Sequence, residues 1–321
     1  MHSTLFERNI ISSLSACSEY SLANVEHHTT SHYWGRTFHS MGYSIRLIPT
    51  QHVKPLTRHQ KNDANDALAI CETEFRPGIH FVPVKTIEQQ DIKALQNTRQ
   101  LMVEQRTAIV NQTRVLIAEQ GVTIPVGINV LQQQLPDIIE DADNVISPTL
   151  RRLLFSLLEN MHLLNEYINA LEHEIAALCQ QQPKYKMLLT IPGMGPLIAA
   201  AFLSEVNAEQ FTNGRQFAAW CGWVPRQHSS GGKNIFTSMT KNGNRGLRTL
   251  IIHGARAVMP CVQKRDDTMG KWLWKVIERR GKMKATILLA NKLTRIAWRL
   301  LAESTNFNMS KAFSTNKRSA I

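Results

Sequence analysis

The spacing of hydrophobic positions divides the chain into three stretches. Up to about residue 85, short apolar runs alternate with helical segments. Leu22-Ala23-Asn24-Val25 reads as a strand leading to the carboxylate of Glu26, and Ser44-Ile45-Arg46-Leu47-Ile48-Pro49 as a buried strand stopped by proline. Between them a helix through Tyr33, Trp34 and Phe38 stops at Gly42. A second helix covers about Asn62 to Phe75, ahead of the short segment Phe81-Val82-Pro83-Val84. Strands alternating with helices predict an α/β layer.

From Thr86 the period becomes seven. Leu95, Met102, Ile109 and Leu116 recur at that interval, each preceded by Ala94, Leu101, Ala108 or Val115, in a long helix ending near Gly121. After a Pro- and Asp-containing loop, Leu150, Leu154, Leu157, Met161, Leu164, Ile168, Leu171, Ile175 and Leu178 step by four and three without a break. That pattern predicts a coiled-coil seam. The two helices pair either as a hairpin or between subunits.

The third stretch begins near Pro183. Ile191-Pro192-Gly193-Met194-Gly195 runs into an apolar helix, Leu197 to Val206. This is either a plain Gly-rich connection or a helix-hairpin-helix-like turn, in which Gly193 and Gly195 free backbone N–H groups for a DNA phosphate. The last long helix carries Lys282, Lys284, Lys292, Arg295 and Arg299 beside an apolar face. Beyond Glu303 the Ser-, Asn- and Lys-rich composition predicts a flexible tail, 303–321.

Composition sharpens the picture. Of 321 residues 43% are hydrophobic, enough for a real core, and the net charge is +12. Asn213 to Arg299 holds 18 Lys and Arg but only three acids, Asp266, Asp267 and Glu278. So lopsided a segment favours a polyanionic partner, nucleic acid before membrane. The five cysteines, Cys17, Cys71, Cys179, Cys221 and Cys261, form no CxxC pair and suggest neither a disulfide framework nor a zinc site. With no membrane-length apolar run and no signal-peptide core, the sequence predicts a soluble cytoplasmic protein.

Two constellations carry chemistry. Asp63 and Asp66, three apart on a helix, share one face and offer the hard oxygens that Mg²⁺ takes, with Glu26 the candidate third ligand. Taken alone, such a pair is more commonly a solvated helix start, with Asp63 near the N-cap. In Pro225-Arg226-Gln227-His228-Ser229-Ser230-Gly231-Gly232-Lys233, a hydroxyl on a flexible Gly turn stands among cations, with Lys241, Arg245 and Arg248 following. Glycines let backbone N–H groups approach an anion, and the cations neutralise it. A serine attacking a phosphodiester needs that charge and a base. His228 is one possibility for the base.

Taken in order, Glu26 with His32-Tyr33-Trp34, Leu47-Ile48-Pro49, Lys61-Asn62-Asp63-Ala64-Asn65-Asp66-Ala67, Phe81-Val82-Pro83-Val84-Lys85, Ile191-Pro192-Gly193-Met194-Gly195, Ser229-Ser230-Gly231-Gly232-Lys233 and Asn291-Lys292-Leu293-Thr294-Arg295-Ile296-Ala297-Trp298 resemble the DEDD insertion-sequence transposases, which include pilin-gene-inverting recombinases. The likeness runs from about residue 5 to about residue 302. It implies an α/β ribonuclease-H-like (RuvC-like) domain over 1–85 and a coiled-coil linker used in dimerisation over 86–182. A mainly α transposase domain bearing a serine would follow over 183–302.

The resemblance also implies Mg²⁺ held by acids, a serine joined covalently to DNA, and an element-encoded guide RNA. Carried across, Glu26, Asp63 and Asp66 match the second, third and fourth acids. Ser230 matches the serine, with Ser229 as fallback. Arg226, Lys233, Lys241, Arg245 and Arg248 would bind phosphate. The family's first acid is an Asp on the opening strand, and here no Asp precedes Asp63. The expectation is therefore a copy shortened at its N-terminus, either still a recombinase or a defective remnant that only binds nucleic acid and oligomerises.

Overall fold

The computed structural model describes residues 22–25, 30–57, 63–79, 81–230 and 233–314, with the backbone alone at 22–25, 63, 64 and 230. The chain divides into two compact units, residues 1–87 and 88–321.

In the first unit, β1 (Leu22–Val25) and β2 (Ile45–Ile48) pair in parallel, with Leu22 opposite Ile45 and Val25 opposite Ile48. Helix α1 (Ser31–Ser40) makes the crossover between them, as parallel pairing requires. It stops where Gly42 takes a φ of +90°, a left-handed conformation that glycine adopts without strain. Leu47 and Ile48 are fully buried. Helix α2 (Asp63–Glu74) packs Ala69 against Ile48 and Val53. Val82 donates its N–H to Leu47 O at 2.8 Å, adding a bridge to the sheet. The strand–helix–strand order predicted for residues 22–48 is thus present in the described part.

The second unit opens with two 32-residue helices, α3 (Ile87–Ala118) and α5 (Pro148–Cys179), joined through α4 (Ile128–Glu140). Ser147 caps α5 by accepting the N–H of Leu150 at 3.2 Å, and Pro148 occupies the first turn, where its missing N–H costs nothing. Arg99 bonds Glu172 at 2.7 Å and Arg106 bonds Asn165 at 2.6 Å. A later residue on α3 meets an earlier one on α5, so the two run antiparallel within one chain. Of the predicted seam, Leu154, Met161, Leu164, Ile168 and Ile175 are buried, whereas Leu178 is exposed. Val110, Ile117, Leu131 and Leu135 close this core from α3 and α4.

Helices α6 (Pro183–Leu189), α7 (Pro196–Glu205), α8 (Gly214–Trp220), α9 (Arg245–Val258), α10 (Thr268–Arg280) and α11 (Lys282–Glu303) build the largest core. On α11, Leu289, Ala290, Leu293, Thr294 and Ala297 are fully buried. Gly214 allows α8 to approach it closely, since a Cβ there would lie 3.2 Å from the Trp298 ring. Between α8 and α9, β3 (Pro225–Ser230) and β4 (Lys233–Met239) form an antiparallel hairpin. The sequence reading has a Gly turn here and no strands.

Two features depart from expectation near the C-terminus. The segment after Glu303, read as a tail, continues into α12 (Met309–Ala312), and Phe313 is 1% exposed against Trp272. Lys292, read as one of the cations beside the apolar face of the last long helix, lies over Trp272 and Phe313, at 4.6 and 4.8 Å from the ring centroids. One aromatic anchor in a polar segment is enough to fold it back, and composition hides it.

Candidate functional site

The hairpin is built by local rules. Ser230 pairs with Lys233, leaving the two residues Gly231-Gly232 between them, a sequence that short hairpin connections favour. Ile235-Phe236-Thr237 supplies strand-forming side chains. His228 stands opposite Ile235 and Ser229 opposite Asn234, and an irregularity between Pro225 and Gln227 shifts the register near the root. Ser229 Oγ donates to Asn234 Oδ1 at 3.0 Å, and Gln227 Nε2 donates to Ser229 Oγ at 2.7 Å. The second bonded serine-side pair is thus Gln227 and Asn234, neither of which the sequence reading singled out. The signal available for them was the Gly-Gly pair between polar and β-favouring runs.

From Arg226 to Ser229 and from Lys233 to Ser238 the ribbon's described side chains are exposed, including Ile235 (54%) and Phe236 (61%). A two-stranded ribbon with both faces in water is marginal by itself. Its root, however, is locked. Gly222 and Gly243, at φ +78° and +83°, let two chain segments touch: a Cβ on Gly222 would lie 2.2 Å from Asn242 O, and one on Gly243 1.9 Å from Trp220 O. Lys241 between them holds φ +55°, an unfavourable conformation for a residue with a Cβ.

Arg248 completes that lock. It is only 8% exposed, and its Nη1 donates to Cys221 O and to Asn242 O, each at 3.1 Å. The reading of Arg248 as one more surface cation therefore changes: its guanidinium faces backbone carbonyls at the hairpin root. Arg226 also sits at the root, with Nη2 3.3 Å from Thr240 O, but is exposed, as are Lys233, Lys241 and Arg245. Cys221, buried beneath the root, has its thiol pKa raised, chiefly by burial.

The Gly193–Gly195 turn meets the same helix that follows the hairpin. Gly193 has φ +86°, and a Cβ there would lie 2.8 Å from Gly254 O on α9. Gly254 returns the constraint, its own added Cβ falling 2.0 Å from Gly193 O. Gly195 instead borders open space at the N-cap of α7. A groove of about 1150 Å³ runs here, bordered by Lys93, Gly195, Arg245, Thr249 and His253. The groove and the hairpin root thus share the first turn of α9.

The carboxylates belong to the first unit. Glu26 lies outside the described residues, and the side chain of Asp63 is not described. Arg46, in mid-β2, reaches Glu74 at the far end of α2 at 4.0 Å. Asp66, on the first turn of α2, is half-buried. Among the described residues no three His, Cys, Asp or Glu side chains gather as a metal cluster. Two aspartates three apart at the start of one helix are nevertheless of the residue type that a hard divalent ion takes.

A family model described as "Transposase IS116/IS110/IS902 family" matches residues 185–269, and a DEDD model of the IS110 type, described as "Transposase", matches residues 8–120. The chain is 40% identical over 278 residues to the "Transposase for insertion sequence element IS1111A" of Coxiella burnetii, covering 86% of this chain and 76% of that one. It is 38% identical over 278 residues to a "Probable family 20 transposase" of Pseudomonas aeruginosa, covering 86% and 82%. A "Transposase for insertion sequence element IS1328" of Yersinia enterocolitica is 33% identical over 279 residues, covering 87% and 83%. The DEDD match implies a ribonuclease-H-like fold for the first unit and points to divalent-metal use. No helix among the described residues is long and apolar enough to cross a membrane.

Proposed function

The chain belongs to the IS116/IS110/IS902 transposase family, and from that membership we propose that it transfers DNA strands through a covalent bond to Ser230. The observation that carries this reading is the hairpin. Ser230 ends β3 at the tip of an exposed ribbon with a locked root, while the hydroxyl of Ser229 is engaged by Gln227 and Asn234.

In the proposed step, Ser230 Oγ bonds to phosphorus as the P–O bond to the leaving deoxyribose oxygen breaks. The serine proton goes to a base, and the leaving oxygen takes up a proton. A second DNA end then displaces the serine, so the phosphodiester count is conserved. In β3, positions 228 and 230 return to the same side of the ribbon, which supports His228 as the base. Lys233 at the tip, with Arg226, Lys241 and Arg245 at the root, neutralises the non-bridging phosphate oxygens and holds the flanking DNA. Arg248 acts through the root it locks. Gly193 and Gly195 both border the groove, where a phosphate could meet backbone N–H groups in the helix-hairpin-helix manner.

Asp63 and Asp66, with Glu26, would hold Mg²⁺. When bound, the ion supplies charge stabilisation at phosphate oxygens. The excess of positive charge suits a second polyanion, an element-encoded guide RNA that pairs with the DNA. Leu101, Val115, Leu163 and Tyr167, all at least half exposed on the two long helices, offer a further apolar seam for a homo-oligomer of coiled-coil type.

A strand-transfer assay with cognate element ends and RNA tests the reading. The wild-type chain is expected to join the ends, and Ser230→Ala to fail. If both are inert while both bind DNA, the chain is a nucleic-acid-binding protein without the chemistry.

A further inference from the structure

A second concentration of positive charge lies on elements other than the hairpin. On α10, Lys271, Trp274, Lys275 and Arg279 are exposed and recur at three- and four-residue intervals, so they share one stripe. Arg280, Lys282, Met283 and Lys284 are exposed and carry the stripe around the elbow at Gly281, where φ is +78°. Glu278 is the single acid from Lys271 to Lys284. Among the described residues none of these six cations makes an ion pair.

The placement is electrostatically unfavourable for an empty surface. The cations on α10 follow one another at about 6 Å along the axis and repel. Lys282 and Lys284 stand in the first turn of α11, where the helix dipole disfavours positive charge and no acid offsets it. A bound polyanion relieves both. Trp274 is 44% exposed in the middle of the stripe, and Met283 is 74% exposed at the elbow. Aromatic surface interleaved with cations is the arrangement that unpaired nucleotides use, phosphates on the cations and a base on the ring. A duplex, whose bases are stacked inside, leaves the indole without a role.

We propose that the α10–α11 elbow binds an unpaired nucleic-acid strand, with Trp274 as the stacking platform and Lys271, Lys275, Arg279, Arg280, Lys282 and Lys284 along the phosphates. None of these residues belongs to the hairpin or to its root. Strand binding at the elbow therefore does not depend on the chemistry assigned to Ser230.

The test uses the full chain and fluorescence anisotropy with labelled oligo-dT, oligo-rU and a duplex of the same length. Trp274→Ala is expected to weaken single-strand binding by about 5- to 100-fold and to leave duplex binding unchanged, with Trp274→Phe restoring most of the loss. Replacing Lys271, Lys275, Lys282 and Lys284 by Gln is expected to reduce the slope of log K against log salt by about 3. Circular dichroism checks that each variant is folded. Tighter binding of oligo-dT assigns the strand to DNA, and of oligo-rU to RNA; both support the surface. Single-strand affinity unchanged within twofold in folded Trp274→Ala, or an unchanged salt slope in the lysine variant, overturns it.

Discussion

Ser229 Oγ donates a hydrogen bond to Asn234 Oδ1 across the hairpin at 3.0 Å, which ties it to the opposite strand. Ser229 belongs to the ribbon's own bonding. Ser229→Ala is therefore expected to retain strand transfer within a few-fold of wild type while weakening the hairpin by about 1 kcal/mol. Side-by-side activity and limited proteolysis of the 225–239 segment check this. Loss of all activity with an intact hairpin would move the nucleophile to Ser229.

Arg248 is a stability residue as much as a source of charge. Arg248→Met keeps most of the stem but leaves the carbonyls of Cys221 and Asn242 without their donor, and is expected to cost about 2–4 kcal/mol. Urea denaturation measures it. Arg245→Met, on the exposed first turn of the same helix, is expected to leave the midpoint nearly unchanged and to weaken DNA binding.

Gly193 and Gly254 fit each other backbone to backbone. Gly254 lies inside α9, where glycine is normally unfavourable by about 1 kcal/mol, and close approach explains its presence. Gly254→Ala improves helix propensity yet is expected to destabilise by about 2–4 kcal/mol, because its Cβ meets backbone that cannot step aside. A raised melting temperature would contradict the contact.

His32 gives the first unit an acid-sensitive contact. Its Nδ1 accepts the N–H of Lys85 at 3.3 Å. Burial, then Lys85 and Arg36, lower its pKa from 6.5 to about 4. The unfolded chain thus binds the proton more readily between those values. The stabilisation is complete above pH 6.5 and is lost as pH falls toward about 4. After allowance for screening at a half-buried ring it amounts to about 1–2 kcal/mol. His32→Gln is expected to flatten that limb of the stability–pH curve, followed by denaturant midpoints from pH 7 to 4.

The sequence was most legible where periodicity reports burial. The four-and-three series of 150–178 marks a face of α5 that is largely buried, and Pro49 and Gly42 end the elements they were read to end. Depth was not legible for single cations. Arg245 and Arg248 look alike in the sequence, but three residues of helix turn one outward and the other under the root. The strands of the hairpin were missed because Ser, Gly, Lys and Asn read as loop, and their pairing depends on a root made by Gly222, Gly243 and Arg248. The carboxylate set is legible only as a helix-face pair, since Glu26 lies outside the described residues.

The most direct measurement is to trap the protein–DNA adduct. The full chain is incubated with labelled element-end DNA and guide RNA, denatured, and mapped by peptide mass spectrometry. A covalent link at Ser230, present in wild type and Ser229→Ala and absent in Ser230→Ala, is the predicted result. Strand transfer without any adduct, or an adduct of equal yield in Ser230→Ala, would contradict the serine mechanism.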